Sequence, residues 1–295
     1  MTSIFIVGAI TLISPVTHAV QSTVDLGAAS PFVLLAGTAN ITDAGNASVI
    51  NGNVGLSPAT GAAIGLVCSQ VTGTIYSVDA AGPLPCRVTN GPLLVTAKNN
   101  LTTAYTNAAN RIPVTTVPTE LGGTTLVAGV YDSSSTTFGI TAGAGALVLD
   151  GQNDPSSVFI FQSGFSGTGL NVGSGSTVTL INGAQACNVF WRVDSASIDT
   201  TATFVGSILA LNSITVANGA TINGRLLARN GSISLINDTI TNSVCAGNDS
   251  SNNTTTPTFP NTGIFANLNS IIIIPMTIII AGIVLALIAH KKRLI

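Results

Sequence analysis

The sequence predicts a mainly β fold: a parallel β-solenoid of short strands on three faces, one long α-helix lying alongside, and a transmembrane helix at the C-terminus. Three observations carry that prediction. Only 7% of the 295 residues are charged, against about 25% in an ordinary soluble domain, while 31 are glycine, which suits tightly turned β structure. A short repeat returns at a spacing of 18: residues 206–212 (GSILALN) match 224–230 (GRLLARN), and Thr221-Ile222 matches Thr239-Ile240. One turn of a three-faced solenoid has about that length, each strand rising roughly 3.3 Å per residue and stacking about 4.8 Å from the next. The third observation is a single long uncharged apolar run near the end of the chain, residues 271–289.

Taken from the N-terminus, residues 1–19 are apolar and end in Thr17-His18-Ala19, small residues that suit a signal-peptidase site, although the usual positive start is missing. A signal peptide is expected there; a buried first strand is the other reading. The folded domain then spans 24–246. Four stretches within it repeat a polar, apolar, polar pattern: Asn40-Ile41-Thr42, Thr177-Val178-Thr179, Ser213-Ile214-Thr215 and Ser232-Ile233-Ser234. With a side-chain period of 2, Ile41, Val178, Ile214 and Ile233 point inward, and Asn40, Thr42, Thr177, Thr179, Ser213, Thr215, Ser232 and Ser234 form an outward column of short polar groups. Such residues are also ordinary solvent-facing strand residues.

Residues 57–90, with several Pro and Gly, are expected to be an irregular insertion capping one end of the stack, where bare strand edges would invite aggregation. Over 92–111, Leu94, Ala97, Leu101, Ala104, Tyr105 and Ala108 recur at helical spacing, Pro92 suits a first turn and Pro113 stops continuation, so one amphipathic helix is expected. Four cysteines in an exported chain point to disulfides. Of three pairings, Cys68–Cys86 and Cys187–Cys245 are favoured: the first encloses a short irregular segment, the second ties the start of the last regular stretch to its end.

Beyond 246 the chain changes character. Residues 247–270 are polar and of low complexity, a flexible stalk. Residues 271–290 form the predicted transmembrane segment, and the basic tail 291–295 places it with the domain outside the cell. Phe259-Pro260-Asn261-Thr262-Gly263, followed by an apolar span and basic residues, resembles the sorting signal of sortase-anchored bacterial surface proteins, with Phe where Leu is usual. Sortase and cell wall are the partners this implies; a plain membrane anchor is the alternative.

Composition also excludes. A net charge of −2, with no basic cluster before the tail, gives nucleic acid no field to bind. The only histidines, His18 and His290, lie outside the domain, so histidine-based triads and His-ligated zinc lack their central residue, and no Cys-x-x-Cys occurs. Neither a metal nor a cofactor is expected. The close acidic pairs Asp150/Asp154 and Asp194/Asp199 read better as turns than as the two carboxyls of glycoside hydrolysis, so no enzyme is expected.

Several segments together resemble the ice-binding-like β-solenoid family of microbes. They include residues 26–32 (LGAASPF), 50–55 (INGNVG), 73–76 (GTIY), the helix around Tyr105, 121–123 (LGG), 129–131 (GVY), 158–162 (VFIFQ), 182–191 (NGAQACNVFW) and 224–228 (GRLLA). The resemblance covers about 24–245 and implies a right-handed, discontinuous β-helix of triangular section, with the N-terminal strands stacked beside the last coil. The Ile-Asn-Gly shared by 50–52 and 222–224 agrees with that. It also implies ice as the partner, bound through a flat face. Thr168-Gly169-Leu170-Asn171 is similar to a short Thr-Gly/Ala-x-Thr/Asn motif of some members. A structural or adhesive surface protein on the same scaffold is the competing reading, and sequons at Asn40 and Asn230 border the polar column.

Overall fold

The computed structural model describes residues 21–163 and 169–246. Strands of two to eight residues pair in parallel and build three stacked faces, and each successive coil visits the three in turn. The helix-covered face runs, in spatial order, through Arg87–Thr89, Ile75–Ser77, Asn53–Leu56, Phe32–Ala36, Thr221–Ala228, Thr203–Ala210, Val189–Val193, Phe159–Gln162, Gly129–Ser133 and Val114–Val117. The second face holds seven strands in the order Phe138–Ile140, Leu170–Val172, Ala196–Ile198, Ile214–Val216, Ile233–Leu235, Ile41–Asp43 and Ile64–Gly65. The third face begins with Thr125–Val127, Leu147–Asp150 and Val178–Ile181. It continues across a Thr177–Thr203 bridge through the first halves of the two eight-residue strands to Thr239–Thr241, Val49–Asn51 and Val71–Thr72.

The 18-residue repeat is the register itself: Gly206 lies beside Gly224, and Thr221 beside Thr239. At these two glycines the long strands bend from the third face onto the helix-covered face. A Cβ on Gly224 would stand 1.9 Å from the Gly206 carbonyl oxygen, so only glycine lets the coils stack at that corner. Inward side chains fill the tube. Tyr131, Phe161 and Trp191 occupy one column, with Phe161 and Trp191 stacked at 3.8 Å and Phe138 and Phe204 packed around them.

The helix α1 spans Gly91–Ala109 and buries the six residues expected of it: Leu94, Ala97, Leu101, Ala104, Tyr105 and Ala108. Asn90 caps its start, accepting from the Leu93 amide. Its apolar stripe rests on outward residues of the first face, among them Phe32, Leu35, Val130, Ile160, Phe190, Leu209 and Leu227, so that sheet is buried on both sides. Lys98 fastens the helix to the last coil, donating to the Ala228 and Arg229 carbonyls at 2.7 and 2.6 Å.

Residues 57–90 are more regular than expected: Ile64–Gly65, Val71–Thr72 and Ile75–Ser77 extend all three faces by a further coil, and Arg87–Thr89 closes the first. The Cys68–Cys86 disulfide lies within this segment. Cys187–Cys245 joins the short 3-10 turn Ala186–Asn188 to the segment after the last strand.

The transmembrane helix of the expected fold class needs correction. Among the described residues no helix is long and apolar enough to cross a membrane. The helix that is described, α1, exposes Thr96, Asn99, Thr102, Thr103 and Thr106 on its other side and is apolar along one stripe only. The fold is therefore a mainly β, parallel solenoid with one helix. The segments 1–19, 247–270 with Phe259, Pro260, Asn261, Thr262 and Gly263, 271–290 and 291–295 lie outside the described residues.

Candidate functional site

With one face under the helix, two remain open to solvent, and the structure divides the predicted polar column between them. Asn40, Thr42, Ser213, Thr215, Ser232 and Ser234 share the second face; Thr177 and Thr179 stand on the third, where Thr177 bridges to Thr203 and Thr179 pairs with Val148. A polar, apolar, polar triplet fits either face equally well. The four triplets thus carry the correct inward residues, Ile41, Val178, Ile214 and Ile233, each 2% exposed or less.

On the second face the central outward row reads Gly139, Asn171, Ser197, Thr215, Ser234, Thr42 and Gly65. Every strand pair there keeps register without a bulge, and each three-residue strand buries its first and third residues while its second faces out. Ser197 and Asn171 belong to this row but not to the predicted column; the Ser197 strand begins with Ala196 rather than a branched apolar residue, so the signal there is weak. The side-chain hydroxyls of Thr42, Thr215 and Ser234 bond to no protein group among the described residues, whereas Ser232 Oγ donates to Ser213 Oγ at 3.3 Å in the flanking row. Neighbouring strands stand about 4.8 Å apart and alternate residues of one strand about 6.6 Å apart, so these groups form a two-dimensional lattice.

The lattice ends in a shallow depression toward Phe138–Ile140, lined by Glu120, Gly139, Thr141, Asn171, Gly173 and Asp199. Burial pushes the Glu120 carboxyl up, but hydrogen bonds from Thr141 and Gly122 hold it below its ordinary value. Of the short motif 168–171, Thr168 lies outside the described residues, while Leu170 points inward and Asn171 outward on this face.

The acidic pairs sit in turns. Asp150 accepts from Gln152 and Asn182, Asp154 from Ser156, and Gln152 and Asn153 have φ of 51° and 65°. Asp194 accepts from Asn212 at a corner. No group of three or more His, Cys, Asp or Glu that could hold a metal ion occurs among the described residues.

Both described ends of the domain meet at the corner between the helix-covered and third faces. Arg111 donates to Ser22 and Thr23, Ala246 donates to Gln185, and Gln21, Pro155, Asn188 and Cys245 line one groove there. Arg225, 8% exposed, braces this corner through Ser30 and Ser243. The second face is the side of the solenoid opposite that corner.

Comparison with known proteins shows what the chain and its fold are similar to. The sequence profile of a family described as ice-binding-like matches residues 34–241. An ice-binding protein of Colwellia sp is 43% identical over 210 residues, 70% of this chain and 79% of that one; one from Flavobacterium frigoris is 41% identical over 210 residues, covering 70% and 72%. Among solved structures, an ice-binding protein from an Antarctic biological consortium superposes with a TM-score of 0.66 at 34% identity, covering 79% of this chain and 97% of that chain. A domain of a Shewanella frigidimarina ice-binding protein gives 0.67 at 28% identity, covering 76% and 100%.

Proposed function

The chain belongs to the ice-binding-like family, and from that premise we propose that it binds ice through its second face. The observation that supports this reading most is the in-register row Ser197, Thr215, Ser234 and Thr42, short polar groups on a bulge-free sheet with no charged side chain in the row. Hydroxyls hold water at fixed positions, and the methyls of Thr leave that water without competing partners. Because each outward residue is flanked by neighbours locked in the core, the lattice forms no new order on meeting a crystal, which removes the entropic cost that a flexible surface would carry. Asn40, Ser213 and Ser232 extend the surface by a second row.

Thr215→Tyr places a ring in the middle of that row and leaves Ile214 and Val216 in the core, so stability changes by only about 0.5 kcal/mol. Thermal hysteresis and capture on growing ice fall for this variant and stay at the wild-type level for Thr106→Tyr on the exposed side of the helix. Equal loss in both variants overturns the assignment of the face. A wild-type protein without ice activity overturns the reading altogether in favour of a structural or adhesive role.

The domain acts outside the cell in this reading. Two disulfides suit an oxidising compartment, and Phe259, Pro260, Asn261, Thr262 and Gly263 resemble a sortase signal that would retain it at the cell surface. Thr262→Ala then lowers the wall-linked fraction; an unchanged fraction overturns sortase attachment.

A further inference from the structure

We propose that Glu120 sets the limit of the ice-contact lattice on the second face, a carboxylate fence that confines the crystal to the rungs from Asn171 to Thr42. The inference rests on the ice-binding reading above and names the residue that fixes the footprint. Its basis is register. Beyond Phe138–Ile140, the last strand of that face, Thr119–Leu121 runs on as a further rung. The Gly139 amide donates to the Thr119 carbonyl at 2.7 Å, the Leu121 amide donates to the Gly139 carbonyl at 2.8 Å, and Glu120 lies directly beside Gly139. Leu121 is fully buried, so alternation turns Glu120 outward. The central row is thereby extended to Glu120, Gly139, Asn171, Ser197, Thr215, Ser234, Thr42 and Gly65, and Glu120 is the one charged residue in it.

The carboxylate is held in place. Glu120 Oε1 accepts from the Gly122 amide at 2.6 Å and the Thr141 amide at 3.0 Å, and Oε2 accepts from the Thr141 hydroxyl. Thr141 stands two residues beyond Gly139 on the same side of its strand, so the side chain of Glu120 leans over the rung that Gly139 leaves bare. Neither backbone nor packing requires glycine there. Its φ lies outside the left-handed region, and a Cβ would meet the Thr119 carbonyl oxygen at 3.5 Å and Glu120 Oε2 at 3.8 Å, ordinary contacts unlike the collision at Gly224. The bare rung instead opens the depression of about 590 Å³ at this end of the lattice. Two physical effects then stop the crystal at Asn171. The surface steps down below the plane of the hydroxyls, and an ionised carboxylate draws the hydrogens of surrounding water toward its oxygens, an order that must be stripped away before a crystal plane can seat. Removing water from a charge costs far more than removing it from a hydroxyl.

The test measures thermal hysteresis of the full-length protein at equal concentrations, each form checked for a native melting transition. Glu120→Gln removes the charge and keeps the bonds: its oxygen still accepts from Gly122 and Thr141, and its amide donates to the Thr141 hydroxyl. Combined with Gly139→Thr, which fills the bare rung, it is expected to raise hysteresis above wild type. Gly139→Thr alone, with the fence standing, is expected to stay at the wild-type level, and Ser197→Glu, which puts a carboxylate inside the lattice, to fall well below it. Glu120→Ser replaces Glu120→Gln if that variant misfolds. The proposal is overturned, with the ice-binding reading intact, if the folded double variant matches wild type, if Gly139→Thr alone gains as much as the double variant, or if Ser197→Glu loses nothing. Loss of the native transition in both Glu120 variants overturns it too, since Glu120 then serves to cap the sheet edge. A wild-type protein without hysteresis instead removes the ice-binding reading itself.

Discussion

Asp43 and Asp238 hold the corner between the two open faces, and burial treats them differently. Asp43 is pushed up by burial, but hydrogen bonds from Ser48, Asn237 and Gln70 outweigh that and hold it below its ordinary value. Asp238, 1% exposed, is pushed up by burial to about 6, with the nearby Asp43 charge adding to the effect, although it accepts from the Ala220 and Ile236 amides. A carboxyl whose pKa is raised on folding contributes stability that is complete below its unfolded value of 3.8 and lost as pH rises toward 6. Two pKa units correspond to on the order of 3 kcal/mol. Asp238→Asn cannot ionise, so its stability relative to wild type should rise between pH 4 and pH 7 by up to that amount, read from denaturant midpoints at each pH. A constant difference would show that Asp238 does not titrate in this window. At the same scale, the inward members of the polar triplets were legible because alternation decides inside from outside. Which face each triplet occupies was not, since every coil passes through both open faces with the same alternation, and only long-range register separates Thr177 from Thr215.

The single helix was legible almost residue by residue, because its apolar spacing, its Pro92 start and the Pro113 beyond its end are all local signals. The strands of the insertion 57–90 were not, since they are two or three residues long and have no period to read. Cysteine spacing helped where periodicity failed. The Cys187–Cys245 link closes a separation of 58 residues, for which the chain-entropy argument gives about 4 kcal/mol, against about 3 kcal/mol for the separation of 18 in Cys68–Cys86. The longer link also ends the last coil, joining a segment that otherwise holds through Arg225, Asn242 and Ala246. Cys187→Ser with Cys245→Ser should therefore lower the unfolding free energy by roughly 2–5 kcal/mol, and amide exchange should accelerate first over residues 242–246. Unchanged exchange there would mean that the Arg225 contacts suffice.

In the whole molecule, stacking order departs from chain order, and this is what closes the fold. The first coil, made of Phe32–Ala36, Ile41–Asp43 and Val49–Asn51, lies between the last coil and the coil of the insertion on all three faces. The sequence carried a trace of it: Ile50 and Ile222 stand in one column, separated by Ile240. In an open solenoid each repeat touches only its sequence neighbours, so a terminal repeat can be lost with the rest intact. Here, removal of residues 21–90 would leave Thr221–Ala228, Ile233–Leu235 and Thr239–Thr241 as bare edges and uncover Leu226, Ile233 and Ile240, all fully buried in the intact protein. Exposed, flat, apolar edges pair with other chains. A chain beginning at residue 91 should therefore aggregate or lose the near-ultraviolet dichroism of Trp191, even though Trp191 lies three coils away from the cut face. A soluble monomer that keeps the Trp191 signal would mean that the C-terminal coils fold alone and that the first coil is an added layer rather than the closing one.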